Sequence, residues 1–232
     1  MKVTERVALW RLRRELRRLQ ARYYRGAPAD AGSIAGEYLT TLDRARSFFP
    51  TPARALHLGA GGHRLHGWIN VDIVRDGVDV LADLSSSLPF RSESVSFVHS
   101  EDLLEHIDLA AGKRLLAECY RVLRPGGVMR LLTPDLRALV QQVYVDRNAR
   151  HLAWCNTHLA ADGPAEALNM HLRMNGEHRF VYDEELLTRL LESSGFRVRR
   201  VRYNWSPVPE LRYLDLRDFG LNLFLEAVKP GG

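Results

Sequence analysis

A glycine turn followed by an acid is the feature of this sequence with the clearest chemistry. A short apolar stretch leads into Gly59, Ala60 and Gly61, and a second apolar stretch ends at Asp72. Glycines let the backbone approach a ligand at points where a Cβ would clash. A carboxylate at the tip of the following strand can accept hydrogen bonds from both hydroxyls of a ribose. The spacing therefore predicts a site for an adenosine-containing cofactor, although the turn alone does not say which one.

The residues that follow repeat a pattern of apolar segments that end in polar residues. The first two apolar segments are Val78–Leu84 and Ser94–Ser100. A helical stretch follows, which opens at Leu104-Glu105-His106-Ile107 and closes at Arg121–Gly127. The last segment begins at Val128 and ends at Pro134-Asp135. This order resembles the class I S-adenosylmethionine-dependent methyltransferases, over about residues 54–200. It is most similar to small bacterial enzymes that carry Gly-Cys-Gly, a short spacer and Gly-Trp-Ile-Asn-Val-Asp. Ala60 stands where that group often has Cys, and both residues are small.

The resemblance implies S-adenosylmethionine as the cofactor and assigns a part of it to each residue of the turn. Gly59, Ala60 and Gly61 would pass beneath the amino-acid moiety. Asp72 would accept hydrogen bonds from the ribose hydroxyls, and Ile73 would pack on the adenine ring. The alternative for Asp72 is a helix cap or a turn acid without a ligand.

The next two apolar segments supply the remaining cofactor contacts that the resemblance implies. Asp83 would accept a hydrogen bond from the adenine amino group, and Leu84 would cover the other face of the ring. Ser100 and Glu101, just past the fourth strand, would border the methionine moiety. Asp83 has a stronger alternative as a turn residue, because Asp-Leu-Ser-Ser-Ser is itself typical of a turn.

His178 is the candidate catalytic base. It lies in Gly-Glu-His-Arg-Phe, which resembles a Gly-His-Arg-Phe segment of similar small methyltransferases, and a neutral imidazole can accept a proton from a hydroxyl. The alternative is that His178 only holds the chain in place. Asp135, at the end of the fifth strand, and Asn169, His171 and Asn175, expected on a loop, are the candidate residues for binding the acceptor.

The nine histidines also raise the question of a metal ion. Two pairs could each share one face of a helix, namely His151 with His158 and His171 with His178. No Cys or acid completes a ligand pattern beside either pair. Glu101, Asp102 and Asp135 could surround magnesium, as in metal-dependent O-methyltransferases, but the local pattern differs. The sequence therefore predicts no metal site.

The positive charge is confined to one end of the chain. Residues 1–25 hold nine basic side chains against Glu5 and Glu15, which gives this segment a net charge of +7. The whole chain carries +5, so the other residues sum to −2. Any attraction to phosphates is therefore expected from the N-terminal segment and not from the catalytic domain.

The basic segment itself is predicted to form a helix over residues 3–25. Apolar side chains recur three and four residues apart, at Leu9, Leu12, Leu16, Leu19 and Tyr23. This stripe needs a partner, which could be the domain of its own chain, a second copy in a homodimer, or a peripheral membrane contact. The arginines could instead contact nucleic acid.

The elements of the chain indicate an α/β fold with an added helical segment. Residues 1–50 are predicted to form an N-terminal helical extension, with a break at 26–32 and a second helix at about 33–48, and residues 51–232 the methyltransferase domain. Strands are expected near 54–58, 68–72, 78–81, 95–99 and 128–133, followed by a substrate-side insertion at about 136–180, a helix at 183–194, and strands at 196–203 and 221–228. Alternating strands and helices favour a doubly wound parallel sheet. The resemblance implies a Rossmann-like, seven-stranded, mostly parallel sheet with an antiparallel C-terminal hairpin.

Three functions are compatible with these features. The first is methyl transfer to oxygen or nitrogen of a small molecule, such as a sugar, a glycan precursor or a secondary metabolite. The second is nucleic-acid methylation, which is disfavoured because the fourth strand ends in His-Ser-Glu-Asp and not in a base-gripping Asn-Pro-Pro-Tyr motif. The third is a non-catalytic module that binds the cofactor and acts through its N-terminal helix in assembly or in membrane docking.

The sequence further predicts a cytoplasmic protein. The two cysteines, Cys119 and Cys155, lack metal-ligand spacing and suggest a reducing environment. The arginines near the N-terminus interrupt any apolar stretch of the kind found in secretion signals. No apolar run is long enough to span a membrane.

Overall fold

The computed structural model describes residues 1–25, 31–50, 54–74, 78–218 and 220–231. The chain divides into two compact units, each assembled from three segments. The sheet unit contains residues 51–138, 172–202 and 220–232. The helical unit contains residues 1–50, 139–171 and 203–219. The predicted division into an extension of residues 1–50 and a domain of residues 51–232 stays a prediction.

The sheet unit is built on a seven-stranded sheet of order β3-β2-β1-β4-β5-β7-β6. Its strands are β1 (Ala55–Leu58), β2 (Ile69–Asp72), β3 (Val80–Leu81), β4 (Val95–Glu101), β5 (Leu123–Pro134), β6 (Arg197–Arg200) and β7 (Asn222–Val228). The first five pair in parallel, and β7 is antiparallel to both β5 and β6. The predicted fold class is confirmed, including the antiparallel hairpin at the C-terminal end.

Seven α-helices accompany these strands in the described residues. They are α1 (Val3–Arg25), α2 (Ala31–Arg46), α3 (Leu109–Val122), α4 (Leu136–Leu139), α5 (Ala149–Leu159), α6 (Pro164–Arg173) and α7 (Glu184–Ser193). Short 3₁₀ turns cover Leu104–His106, Met174–Gly176 and Pro209–Leu211, and a π-helix covers Val140–Val145. None of the helices in the described ranges is long and apolar enough to cross a membrane.

The strand order fixes where a ligand can bind. From β1 the chain proceeds outward to β2 and β3, and then returns to β4 on the other side of β1. This reversal makes the carboxyl ends of β1 and β4 the switch point of the sheet, where open α/β sheets bind ligands. Leu58, at the end of β1, pairs with Val71 of β2 and Ser100 of β4. The glycine turn and the polar ends of β2 and β4 therefore meet at one edge.

The C-terminal strands contain a buried network of charges. Arg130 of β5 and Glu226 of β7 are both fully buried and are 3.0 Å apart. Arg199 of β6 reaches the other Glu226 oxygen at 2.6 Å, and Arg130 also donates to the Arg202 carbonyl. Buried charges are tolerated only when they are paired and hydrogen-bonded. The network therefore ties three neighbouring strands together at fixed register.

The leucine stripe of α1 is buried within the helical unit. Leu9, Leu12, Leu16 and Leu19 are each at most 5% exposed, and they pack in one cluster with residues of α2 and with Tyr213. Residues of the helical unit thus cover this stripe, and the predicted homodimer and membrane contacts stay predictions. The second helix begins at Ala31, two residues earlier than predicted. Residues 26–30 of the predicted break lie outside the described residues.

Candidate cofactor and acceptor sites

The turn after β1 has the conformation that its glycines permit. The N–H groups of Gly59 and Ala60 both donate to the Val71 carbonyl, at 3.0 and 3.2 Å, which holds the turn against β2. Gly59 has φ +71°, and a Cβ there would lie 2.9 Å from the Leu103 Cβ. Gly61 has φ +50°, and none of the described residues places an atom within 4 Å of where its Cβ would be. Gly59 is required by packing and conformation together, whereas Gly61 leaves open space beside the turn.

Asp72 connects the end of β2 to this turn. One carboxylate oxygen accepts a hydrogen bond from the Gly61 N–H at 2.8 Å, and the other accepts from the Val74 N–H at 2.9 Å. An ionised carboxylate has about four acceptor positions, so two of them remain for a ligand. Asp72 is therefore a turn acid, as its alternative interpretation proposed, and its contact with a ribose stays a prediction.

Ile73, the residue after Asp72, has an apolar side chain that is exposed to solvent. It is 66% exposed, and its neighbour Val74 is 56% exposed. Large apolar side chains at the switch point of a sheet suit a flat aromatic ligand, because covering them removes apolar area from water. The placement fits the role expected for Ile73 beneath adenine.

The observed contacts of Asp83 and Leu84 agree less well with their expected roles than those of Asp72 and Ile73 do. Asp83 accepts hydrogen bonds from the N–H and the hydroxyl of Ser85, at 2.8 and 2.7 Å, which forms the turn that its alternative predicted. The Ser85 hydroxyl and then its N–H lower the pKa of the Asp83 carboxyl below the ordinary value of 3.8. Leu84 is buried and packs in the core of the sheet unit. Their contacts with adenine stay predictions.

Ser100 and Glu101 occupy the end of β4. Both are buried, and none of the described residues hydrogen-bonds the Ser100 hydroxyl. A buried hydroxyl without a partner is costly, so a polar ligand atom would satisfy it. The Glu101 carboxylate lies 3.8 Å from the His99 ring nitrogen Nε2.

Asn70 is a site residue that the sequence interpretation missed. It is buried, and its amide nitrogen donates to the Leu65 and Trp68 carbonyls and to an Asp79 carboxylate oxygen. Its amide oxygen accepts from the Leu65 N–H at 2.8 Å and lies 3.1 Å from the His57 ring nitrogen Nδ1. Asn70 thereby secures the loop between β1 and β2, which carries the glycine turn. The sequence feature that could have identified Asn70 was its position two residues before Asp72.

Asp79 completes this arrangement. The same carboxylate oxygen accepts from the Asn70 backbone N–H at 2.8 Å, and the other oxygen pairs with Arg64. The Asn70 N–H and then the Asn70 side chain lower the pKa of the Asp79 carboxyl, and Arg64 contributes less. The loop of the cofactor site is thus held by one amide and one carboxylate that do not need to touch the ligand.

A second cluster forms around Glu105, which is buried at the end of the loop after β4. Its carboxylate accepts a hydrogen bond from the Thr133 hydroxyl at 3.1 Å. The Glu105 carbonyl accepts the N–H groups of Arg179 and Phe180, at 2.7 and 3.2 Å. These backbone bonds fix the segment that carries His178 against the 3₁₀ turn at Leu104–His106.

His178 therefore lies beside His106, with their ring centroids 4.9 Å apart in an edge-to-face arrangement. Glu105, His106 and His178 each offer one ligand atom, and these atoms all lie within 4.8 Å of one another. We name this group the Glu-His-His cluster. It combines an acid with two half-buried imidazoles, which suits proton transfer and also resembles a ligand set for a divalent metal. The sequence had suggested other combinations of metal ligands, and the absence of a metal stays a prediction.

The residues expected to bind the acceptor are divided between the two units. Asp135 is buried, and its carboxylate accepts the N–H groups of Arg137 and Ala138 at the start of α4. It also forms a parallel bridge with Tyr182. Asn175 is exposed, with φ +55°, in the 3₁₀ turn after α6.

Asn169 and His171 lie on helix α6 and not on a loop as expected. The Asn169 amide donates to the Ala165 carbonyl one turn earlier, at 3.0 Å. The His171 Nε2 atom lies 3.4 Å from the Cys155 sulfur, and its ring stacks on Trp154. Both residues belong to the helical unit. His171 thus joins α6 to α5, whereas the Asn169 contact stays within α6, and the predicted role of both residues in substrate binding is untested.

Tyr182 is a further polar residue of the sheet unit that the sequence interpretation did not single out. It is fully buried, and its hydroxyl lies 2.8 Å from where a Cβ on Gly112 would be. Burial, with smaller contributions from Glu105 and Asp108, raises the pKa of the Tyr182 hydroxyl to about 12. It therefore stays protonated at neutral pH.

Comparisons with known proteins agree with the fold. Residues 63–131 match a family model described as a methyltransferase domain. A methyltransferase structure from Archaeoglobus fulgidus, described as SAM-dependent, shares 16% identity and a TM-score of 0.52, and the match covers 90% of this chain and 97% of that one. A structure from Thermotoga maritima, described as a possible histamine N-methyltransferase, shares 15% identity and a TM-score of 0.49, over 91% and 99% of the two chains.

A SAM-dependent methyltransferase from Methanosarcina mazei shares 16% identity and a TM-score of 0.47, over 80% of this chain and 96% of that one. No curated protein matches the sequence at a significant level. At such identities a structural likeness speaks for the fold alone. The matched domain and the fold together support a methyltransferase with S-adenosylmethionine as its cofactor.

Proposed function

We propose that this protein transfers a methyl group from S-adenosylmethionine to an oxygen or nitrogen atom of a small molecule, such as a sugar, a glycan precursor or a secondary metabolite. In this proposal the glycine turn and Asp72 hold the cofactor, and His178 accepts the proton of the acceptor. The observation that carries the proposal is the Glu-His-His cluster, because it follows β4 and contacts the end of β5, at the edge where this fold binds ligands.

Three observations support the fit of the cofactor. Gly61 faces open space among the described residues, so the backbone there is accessible to a ligand. Asp72 keeps acceptor positions that its two backbone hydrogen bonds do not use. The Ser100 hydroxyl at the neighbouring strand end is buried and has no hydrogen-bond partner in the described residues. Each would gain an interaction with a polar, adenosine-containing ligand.

The reaction needs little from the protein beyond positioning and one proton acceptor. When bound, S-adenosylmethionine supplies a methyl group on a positively charged sulfur, which is already a good leaving group. The lone pair of the acceptor atom forms the new bond to the methyl carbon, while the carbon–sulfur bond breaks and its electron pair stays on sulfur. The protein holds both partners in line and excludes water.

His178 takes the proton that the acceptor atom releases. A neutral imidazole suits this role near neutral pH, and general-base catalysis contributes about 10²–10⁴-fold in rate. The imidazolium that forms is positively charged, and the Glu105 carboxylate beside it stabilises that charge. Thr133 orients the carboxylate through its hydroxyl. Glu105 is thus a positioning residue that acts through His178.

A screen for product release tests this function. The purified protein is incubated with S-adenosylmethionine and a panel of sugars, nucleotide sugars, phenols and aliphatic amines, and S-adenosylhomocysteine and the mass of each acceptor are measured. We expect one chemical class to gain 14 mass units, roughly the mass of a CH₂ group, with unchanged activity in a chelator. Release that requires a nucleic acid, or binding of the cofactor with no methylated product from any acceptor class, would contradict the proposal.

Matched histidine variants make the screen specific for the cluster. His178→Ala removes the proposed base, whereas His158→Ala changes a half-buried histidine of α5 that contacts Trp154. We expect the first variant to lose activity and the second to retain it. Activity that is restored only by a divalent metal would instead assign the cluster to metal binding.

A further inference from the structure

The side of α1 opposite the buried leucines carries a second apolar stripe, and this one is exposed. Val3, Val7 and Trp10 follow at intervals of four and three residues, so they lie along one face of the helix. They are 76%, 45% and 55% exposed. Scattered exposed apolar residues are ordinary, but an aligned stripe that includes a tryptophan indicates a contact surface.

Arginines surround this stripe on both sides. At about 100° per residue, the exposed face of α1 is lined by Arg6, Arg11, Arg14, Arg17 and Arg18 in addition to Val3, Val7 and Trp10. All of these arginines are exposed, and the Arg14 guanidinium stacks over the Trp10 ring at 5.9 Å. We name these eight residues the outer face of α1. It contains no acidic residue.

The acids of the helix lie elsewhere. Glu5 is half-buried and accepts a hydrogen bond from the Lys2 N–H, and Glu15 lies on the flank beside the leucines. Two other basic residues have partners inside the helical unit, because Arg13 donates to the Tyr213 hydroxyl and Arg22 pairs with Glu37 of α2. The arginines of the outer face form no ion pair with the described residues, so their charge is exposed to solvent.

We propose that the outer face of α1 docks on an anionic phospholipid surface. The aligned Val3, Val7 and Trp10 would enter the boundary between headgroups and acyl chains, while the arginines contact lipid phosphates. A basic amphipathic helix with Trp on its apolar stripe, lying in the plane of the interface, is a known mode of peripheral binding. On the opposite face of α1, the buried leucines pack against the helical unit. In this proposal one face of the helix contacts the protein and the other contacts the lipid.

The composition of the face favours lipid over the other occupants. Nucleic acid would use the arginines but gives no role to two exposed valines beside them. A second copy would bring two faces of like charge together, which is repulsive. An anionic membrane offers negative charge and an apolar layer at once, and it satisfies both components of the face.

Vesicle binding by the full chain tests the proposal. The probes are vesicles of phosphatidylcholine alone and of phosphatidylcholine mixed with phosphatidylglycerol, with bound protein separated by sedimentation. We expect binding to the anionic vesicles only, decreasing as salt is added. Each basic residue near an anionic surface changes partitioning about fivefold, so the double charge reversal Arg14→Glu, Arg18→Glu should reduce it by at least about tenfold.

The apolar contribution is measured with Val7→Ser, Trp10→Ser, which should also reduce binding by about tenfold, because two apolar side chains no longer enter the interface. Two controls match these changes at exposed positions elsewhere. Arg124→Glu, Arg189→Glu makes the same change in net charge, and Trp205→Ser removes another exposed tryptophan. Both controls should bind as the unaltered chain does, and all variants should keep the unfolding temperature and the cofactor affinity.

Three outcomes would overturn the proposal. The first is equal binding to neutral and anionic vesicles. The second is full binding by the variant that lacks Val7 and Trp10. The third is no vesicle binding, together with capture of an RNA duplex that depends on Arg14 and Arg18, which would assign the face to nucleic acid. Vesicle binding is measured without an acceptor and requires no methyl transfer, so failure of this proposal and failure of the proposed methyl transfer are distinguishable.

Discussion

The cofactor site and the Glu-His-His cluster are built in different ways. The part of the cofactor site around the glycine turn comes from one continuous stretch, in which Gly61, Asn70 and Asp72 are bonded to one another's backbone or to the loop between them. The cluster joins Glu105 to His178, far apart in sequence, through hydrogen bonds from the later segment to the Glu105 carbonyl. One site is local and the other depends on tertiary structure.

This difference has energetic consequences. In the cofactor site, Asp72 holds the turn and can also hold the ligand, so a change there affects conformation and binding together. In the cluster, the backbone carries the positioning, because the bonds to the Glu105 carbonyl do not involve the imidazole of His178. The backbone bonds that position His178 therefore do not depend on its imidazole, which can be replaced without removing them. The following predictions separate the two cases, in order of decreasing effect.

The largest effect is expected for His178→Ala. Turnover should fall by about a hundredfold or more, because the proton acceptor is lost, while the affinity for S-adenosylmethionine is unchanged. The pH–rate profile of the unaltered enzyme should show a limb near neutrality that this variant lacks. Calorimetry and initial rates measure the two quantities. A variant that keeps its rate would leave His178 with a structural role.

The next effect is expected for Asp72→Ala. Loss of hydrogen bonds to a charged group costs about 1.5–3 kcal/mol, so cofactor affinity should fall about tenfold or more. Since Asp72 also accepts the Gly61 and Val74 N–H groups, the folded state must be checked by thermal unfolding. Asp72→Asn serves as the control, because it retains one acceptor oxygen and should lose less affinity. Equal affinities for the variant and the unaltered chain would refute the assignment.

Glu105→Gln should reduce turnover less than His178→Ala does, by about tenfold. The effect is smaller because the Glu105 charge acts only through the neighbouring His178. The amide still accepts the Thr133 hydrogen bond but no longer stabilises a positive imidazole. The limb of the pH–rate profile should therefore move to lower pH. A purely structural role for Glu105 would leave the profile in place. The profile is thus the decisive readout, more than the rate itself.

The smallest effect is expected for Asp79→Asn. The folded protein lowers the pKa of this carboxyl below 3.8, so the charged form stabilises the loop above that pH, and the contribution is lost as the pH falls through the lower, folded-state pKa. At neutral pH the variant should melt a few degrees lower. At about pH 3 the difference should shrink. A constant difference across this range would mean that the charge is not involved.

The sequence was informative where function depends on local spacing. The glycine turn, Asp72 and the strand ends follow from neighbouring residues, and the alternation of strands and helices predicted the sheet, which is confirmed. It was uninformative about Glu105, because its partners Thr133, Arg179 and Phe180 meet it only after the chain has folded. Asn169 and His171 were expected on a loop because their polar types suggested one, but they lie in helix α6, which begins with Pro164 and has Glu166 in its first turn.

The helical unit shows the same limit. The leucine stripe of α1 predicted an amphipathic helix correctly, but nothing near it in the sequence indicated that Tyr213 would join the same apolar cluster. Contacts between distant segments are set by packing, which a local pattern does not encode.

The most direct test of the account is a calorimetric titration of S-adenosylmethionine, without added metal, into the unaltered chain, Asp72→Ala and His178→Ala. The account predicts saturable binding to the unaltered chain, affinity at least about tenfold weaker for Asp72→Ala, and no change for His178→Ala. Equal affinity for Asp72→Ala, or a loss of binding caused by His178→Ala in a folded protein, would contradict the separation of the two sites.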